Sequence, residues 1–139
     1  MTEVFTAETT IDRPVDAVWA RLIDWDTAAQ WMSGVDALRA HGPTAAGTTL
    51  VFTTRGKQRN AQIAALDPGR SVTLRSIQGG VTADYVYACV RHGEGTRVSL
   101  AADCRMTGPV RLLGPVIRSA IRRADSGQLD AFAATFRSE

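Results

Sequence analysis

Lysine is almost missing from this sequence of 139 residues: Lys57 is the only one, and every other basic residue is an arginine. The arginine bias assigns no function by itself. Acids nearly balance bases, so the formal charge is only +2. A charge that small, spread along the chain, lacks the basic footprint of a nucleic-acid binder. Histidine is scarce too. His41 and His92 both fall in expected turns, far in sequence from any partner acid, which speaks against a histidine-based nucleophile or metal site. Only Cys89 and Cys104 carry thiols, and there is no CxxC or Cys/His ligand spacing. Free thiols suit a reducing compartment. No apolar run approaches the roughly 20 residues that span a bilayer. The start, Met1 to Phe5, has neither the basic nor the apolar region of a secretory signal, so the expected location is the cytoplasm. Gly42 to Thr49 has the glycine spacing of a phosphate loop, but lacks the lysine and a following helix.

The hydrophobic share is 45%, ordinary for a globular chain. The length suits one domain over residues 1–139. Glu3 to Asp12 alternates as a strand, with Phe5, Ala7, Thr9 and Ile11 on one face. Pro14 opens a helix carrying Val15, Val18, Trp19, Leu22 and Ile23. A second short helix is expected over Thr27 to Met32, ended by Gly34. Six strands follow: Val35 to Ala40, Thr48 to Arg55, Arg59 to Leu66, Ser71 to Ile77, Val81 to Arg91 and Thr96 to Met106. Turn signals separate them, among them Asp67-Pro68-Gly69 and Gly79-Gly80.

The last two strands have a readable register. Val81, Ala83, Tyr85, Tyr87 and Cys89 occupy odd positions; Val98, Leu100, Ala102, Cys104 and Met106 occupy even ones. A loop of His92 to Gly95 sets Arg91 opposite Thr96 and puts both apolar sets on one face. Tyr87 then faces Leu100, Tyr85 faces Ala102, Cys89 faces Val98 and Cys104 faces Ala83. The two cysteines end on the order of 20 Å apart, too far for a disulfide. Arg97, Ser99, Asp103 and Arg105 fall on the outer face.

Gly108 to Arg137 reads as a long helix. Val110, Leu113, Ile117, Ile121, Ala124 and Phe132 cluster on one face, with Gln128 the one clearly polar residue among them. Pro115 should kink the first turns or mark a restart, and Ser126-Gly127 is a second weak point. Arg111, Arg118 and Arg122 form an adjacent stripe, either a solvated face or a surface for anionic lipid or an acidic protein. One strand, two helices, six strands and a last helix make an α+β domain.

Short signatures along the chain resemble the SRPBCC superfamily, the START-like or birch-pollen-allergen-like helix-grip fold, and within it the polyketide cyclase/dehydrase-like branch. Ile11 to Trp19 is similar to the family's opening, and Asp24 with Trp31 to its Asp…Trp pair. Gly47-Thr48, Asp67-Pro68 and Gly95-Thr96-Arg97-Val98 complete the set in order. The resemblance implies a curved antiparallel sheet of about seven strands wrapped around the long C-terminal helix, with two short helices after the first strand and an apolar pocket between sheet and helix. It carries no universal catalytic motif, and fold alone does not settle function.

The small inward residues Ala61, Ala65, Ala83 and Ala102 leave room for such a pocket. Its expected wall is Trp31, Phe52, Ile63, Leu74, Tyr85, Tyr87, Leu100, Ile117, Ile121 and Gln128. The first expectation is binding of a small hydrophobic, lipid-like or polyketide-like molecule, with no metal and no cofactor. The alternative is a cyclase, aromatase or dehydrase in the same pocket, with Tyr85 and Tyr87 as weak catalytic candidates orienting carbonyls alongside Gln128. A third is an interaction module using the arginine stripe. Ligand identity and oligomeric state are open.

Overall fold

The computed structural model describes residues 2–32, 34–125 and 127–137, with the backbone alone at Thr2 and Ala124. The expected face position of Ala124 and the weak point at Ser126 lie outside the described side chains and residues.

Seven strands form one antiparallel sheet: β1 (Thr2–Ile11), β2 (Ala37–Ala40), β3 (Thr49–Thr54), β4 (Lys57–Asp67), β5 (Ser71–Gln78), β6 (Val81–His92) and β7 (Gly95–Met106). Their order is β1-β7-β6-β5-β4-β3-β2, a meander from β2 to β7 with β1 added beside β7. The β6–β7 register is the expected one: Arg91 pairs with Thr96, Tyr87 with Leu100, Tyr85 with Ala102, Cys89 with Val98 and Ala83 with Cys104. His92 also pairs with Gly95, so the loop is two residues shorter than its sequence suggests. Cys89 and Cys104 are buried free thiols. Burial pushes Cys89 up to about 11, which keeps it protonated at neutral pH.

Two bulges break the alternation. In β4 the register shifts between Ile63 and Ala65. Ala65 therefore pairs with Thr73 and is exposed, a correction to its expected inward position. On the other side of β4, Gly47 N donates to Ile63 O at 2.7 Å, and Ile63 N donates to Thr48 O at 2.9 Å. In β1 the shift falls between Glu3 and Phe5, and Val4 and Phe5 are both buried. The Val4 carbonyl accepts from Arg122 Nε at 3.2 Å and Nη2 at 2.9 Å.

Helix α1 (Val15–Leu22) begins after Pro14, whose carbonyl accepts the first helical N–H bonds. It buries Val18 and Leu22 against the sheet. The second short helix is a 3-10 turn at Trp25–Gln30, earlier than its apolar spacing indicates. Trp25 is buried there, and its Nε1 donates to Thr44 Oγ1 at 3.0 Å.

The C-terminal helical region is built in three pieces: a 3-10 turn (Gly108–Leu113), α2 (Gly114–Asp125) and α3 (Gln128–Arg137). Pro115 sits in the first turn of α2, where a missing N–H is harmless, so it marks a restart. Leu113 does not join the inner face: it is 55% exposed, and Leu112 is 87% exposed. At Gly80 a Cβ would meet the 3-10 turn, 2.9 Å from Val110 Cγ1, so only glycine fits that approach.

The two helices do different work. α3 buries Leu129, Phe132, Ala133 and Phe136, with Phe132 and Phe136 edge to face at 5.5 Å. α2 contributes Ile117 and Ile121, both half-buried, over the hollow of the sheet. Among the described residues no helix is long and apolar enough to cross a membrane.

Candidate functional site

Between α2 and the concave face of β3 to β6 lies a cavity of about 440 Å³. That is within the range of small-molecule sites. Its room comes from small side chains. Ala61 pairs with Leu50, and Ser76 pairs with Ala83. These residues form a shallow strip across the sheet where larger side chains would close the space. Phe52, Leu74, Met32 and Val35 add apolar wall, and Ile117 and Ile121 form the roof.

Four side chains from three elements meet at the inner end. Tyr85 and Tyr87 alternate onto the concave face of β6, as their odd positions require. Asp125 ends α2, and Gln128 starts α3. Tyr85 Oη donates to Asp125 Oδ2 at 2.7 Å. Gln128 Nε2 donates to Asp125 Oδ1 at 2.9 Å. Tyr87 Oη donates to Gln128 Oε1 at 2.6 Å. Tyr87 and Gln128 are 2% and 5% exposed. All four groups line the cavity.

Burial pushes the Asp125 carboxyl above its ordinary value, while the hydrogen bonds from Tyr85 and Gln128 pull it back down. Burial also raises the Tyr85 phenol far above its usual value, reinforced by the charge of Asp125 and the hydrogen bond to it. Tyr87 is raised by burial and then by the same charge. Both phenols stay protonated across the physiological range, and in this arrangement both protons point at protein acceptors.

The opposite end is more open. Arg59 is half-buried and Gln78 exposed, and Arg59 Nη1 donates to Gln78 Oε1 at 2.9 Å. Thr54 and Ser76 complete the polar groups of the wall.

Of the expected wall residues, Phe52, Leu74, Tyr85, Tyr87, Ile117, Ile121 and Gln128 do line this cavity. Trp31, Ile63 and Leu100 do not; they are fully packed core. Trp31 stacks edge to face on Tyr87 at 5.7 Å and on Phe132 at 4.9 Å, so it backs the polar end from behind. Its Nε1 has no hydrogen-bond partner among the described residues. Asp125 is the residue that sequence reasoning missed. The signal was present: Ile117, Ile121 and Asp125 recur at four-residue spacing on one helix face. The arginine stripe does not act as a unit. Arg122 ties down β1, Arg118 packs over Gly114, and Arg111 is exposed. No group of three or more His, Cys, Asp or Glu side chains is placed to hold a metal among the described residues.

A family model described as "Polyketide cyclase / dehydrase and lipid transport" matches residues 2–137. The chain belongs to that family. Solved structures share its fold. Ara h 8.0201 is 16% identical, with 97% of each chain covered and a TM-score of 0.71. Norcoclaurine synthase from Thalictrum flavum, solved with dopamine and hydroxybenzaldehyde, is 16% identical over 97% of this chain and 86% of its own, with a TM-score of 0.69. The di-domain ARO/CYC StfQ from the steffimycin biosynthetic pathway is 16% identical over 94% of this chain and 49% of its own, with a TM-score of 0.71. These likenesses show the helix-grip fold. No curated protein matches the chain.

Proposed function

We propose that this protein binds a small hydrophobic molecule, lipid-like or polyketide-like, in the cavity between sheet and α2. The observation that carries the reading is the cavity of about 440 Å³ with a mainly apolar wall and one hydrogen-bonded polar cluster at its inner end. A large apolar space with a few convergent polar groups is what a small-molecule site requires. The family description, which joins cyclases and dehydrases with lipid transport, supports the same reading. The proposed compartment is the cytoplasm, on the strength of the two unpaired, buried thiols.

Native mass spectrometry of protein purified from its own host tests the reading. The expected result is a co-purifying mass that disappears on denaturation. A bare protein that also fails to bind an environment-sensitive apolar dye overturns it.

One observation favours a second reading, a cyclase or dehydrase in the same cavity. Asp125 is a carboxylate facing the cavity, and burial shifts it toward the range useful to a general base. Under that reading Asp125→Asn, Tyr85→Phe or Tyr87→Phe lowers turnover more than affinity. A carrier loses affinity alone, or nothing.

A further inference from the structure

The direction of the hydrogen bonds gives the inner end of the cavity a polarity. The two phenol protons and one Gln128 N–H are directed at protein acceptors. What the cluster still offers is mostly lone pairs: those of both phenol oxygens, and the second lone pair on each Asp125 oxygen. The one remaining donor is the other N–H of Gln128. An incoming carbonyl or carboxylate meets acceptors there and is repelled. An incoming hydroxyl finds carboxyl lone pairs that accept its proton. A buried ammonium would carry a larger desolvation cost, and Asp125 already accepts two internal donors that partly satisfy its charge.

The outer end has the opposite character. Arg59 pairs with Phe52 across the β3–β4 ladder and reaches Gln78, the last residue of β5. Its hydrogen-bond partner is a neutral amide, and among the described residues no carboxylate lies within ion-pair distance of it. Tyr85 pairs with Leu74, four residues along β5 from Gln78. At strand rise that is roughly 13 Å. Between the two ends lies the shallow apolar strip of Ala61 and Ala83.

The geometry points to a ligand class for this cavity: an elongated, mainly apolar molecule with a hydroxyl at its inner end, held by Asp125, and a carboxylate at its outer end, held by Arg59. This inference rests on the cavity being the binding site, and it names which molecules that site selects.

Calorimetric titration of the full chain with ω-hydroxydecanoic acid, decanoic acid and decanol tests it. The hydroxy acid should bind about tenfold more tightly than either relative, the difference one charge-assisted hydrogen bond makes. Asp125→Asn should remove the advantage over decanoic acid and leave that over decanol. Arg59→Gln should do the reverse, and at the half-exposed outer end it should leave the thermal midpoint unchanged. Equal binding of all three probes overturns the ligand class while the cavity remains a site. So does binding of an apolar dye with none of the probes. If neither the dye nor any probe binds, the class and the site reading fall together.

Discussion

Tyr87 Oη donates to Gln128 Oε1 at 2.6 Å, joining the middle of β6 to the first turn of α3 inside a buried, low-dielectric space. The same amide holds Asp125 through its nitrogen. Strand, helix end and carboxylate are thus fixed by one side chain.

Removing that amide should be costly. Gln128→Ala leaves the Tyr87 hydroxyl without its acceptor and Asp125 Oδ1 without its donor, while Tyr85 still donates to Oδ2; the loss is about 1–3 kcal/mol for each buried group left unmet. Urea denaturation measures it. Tyr87→Phe alone should cost less, and the two changes should be non-additive because they break the same bond. Strict additivity would show that the pair is not coupled.

Asp125 makes stability depend on pH. Its folded value lies above the ordinary 3.8, with burial as the main cause. A carboxyl with a raised folded value binds its proton more tightly in the folded state. Its favourable contribution is therefore complete below the unfolded value and is lost as pH rises through the folded one. Asp125→Asn abolishes this dependence. Thermal midpoints of both proteins, followed upward from pH 3, should diverge, with wild type losing ground to the variant above its ordinary range. Parallel curves refute the raised value.

Ala61 tests whether the hollow is separable from the core. Ala61 lines the cavity, so Ala61→Leu adds its bulk there. Apolar dye binding should weaken about tenfold or more, since one added buried isobutyl group displaces ligand of comparable area. The thermal midpoint should stay level or rise. A large drop in the midpoint would mean that the strip is packed, not open.

Arg122 holds the bulge in β1 by two hydrogen bonds to the Val4 carbonyl. Arg122→Ala should destabilise the fold by about 1 kcal/mol or more, the usual size for bonds to a charged donor. Arg111→Ala, at an exposed position, should change little. Equal effects at both positions would show that the contact to Val4 contributes nothing.

The parts of the fold set by local pattern were legible in the sequence. Odd and even alternation with a Gly-rich loop is enough to register Tyr85, Tyr87 and both cysteines, because the side-chain period of a strand leaves one solution with both apolar sets inward. The bulges were not legible. Ala65 turns outward because the β4–β5 register shifts between Ile63 and Ala65, a pairing that no neighbour of Ala65 in sequence encodes. The restart at Gly114 was half-visible in Pro115. In the site, the phenols and Gln128 were found from periodicity. Trp31, Ile63 and Leu100 were placed in the wall because an inward-facing residue looks the same in sequence whether it meets a helix or a void. Asp125 was passed over because a lone acid on a helix is ordinarily solvated.

The shallow strip of Ala61, Ser76 and Ala83 separates two properties that most proteins keep tied together. The side chains that set the girth of the hollow are not the ones that hold α3 on the sheet. Nor do Ala61 and Ala83 make the polar contacts at either end. Exchanging a methyl for a larger group there can resize what the protein accepts without loosening its frame. Under the proposed binding role, drift at Ala61 and Ala83 would change which guest fits while both polar ends stay in place.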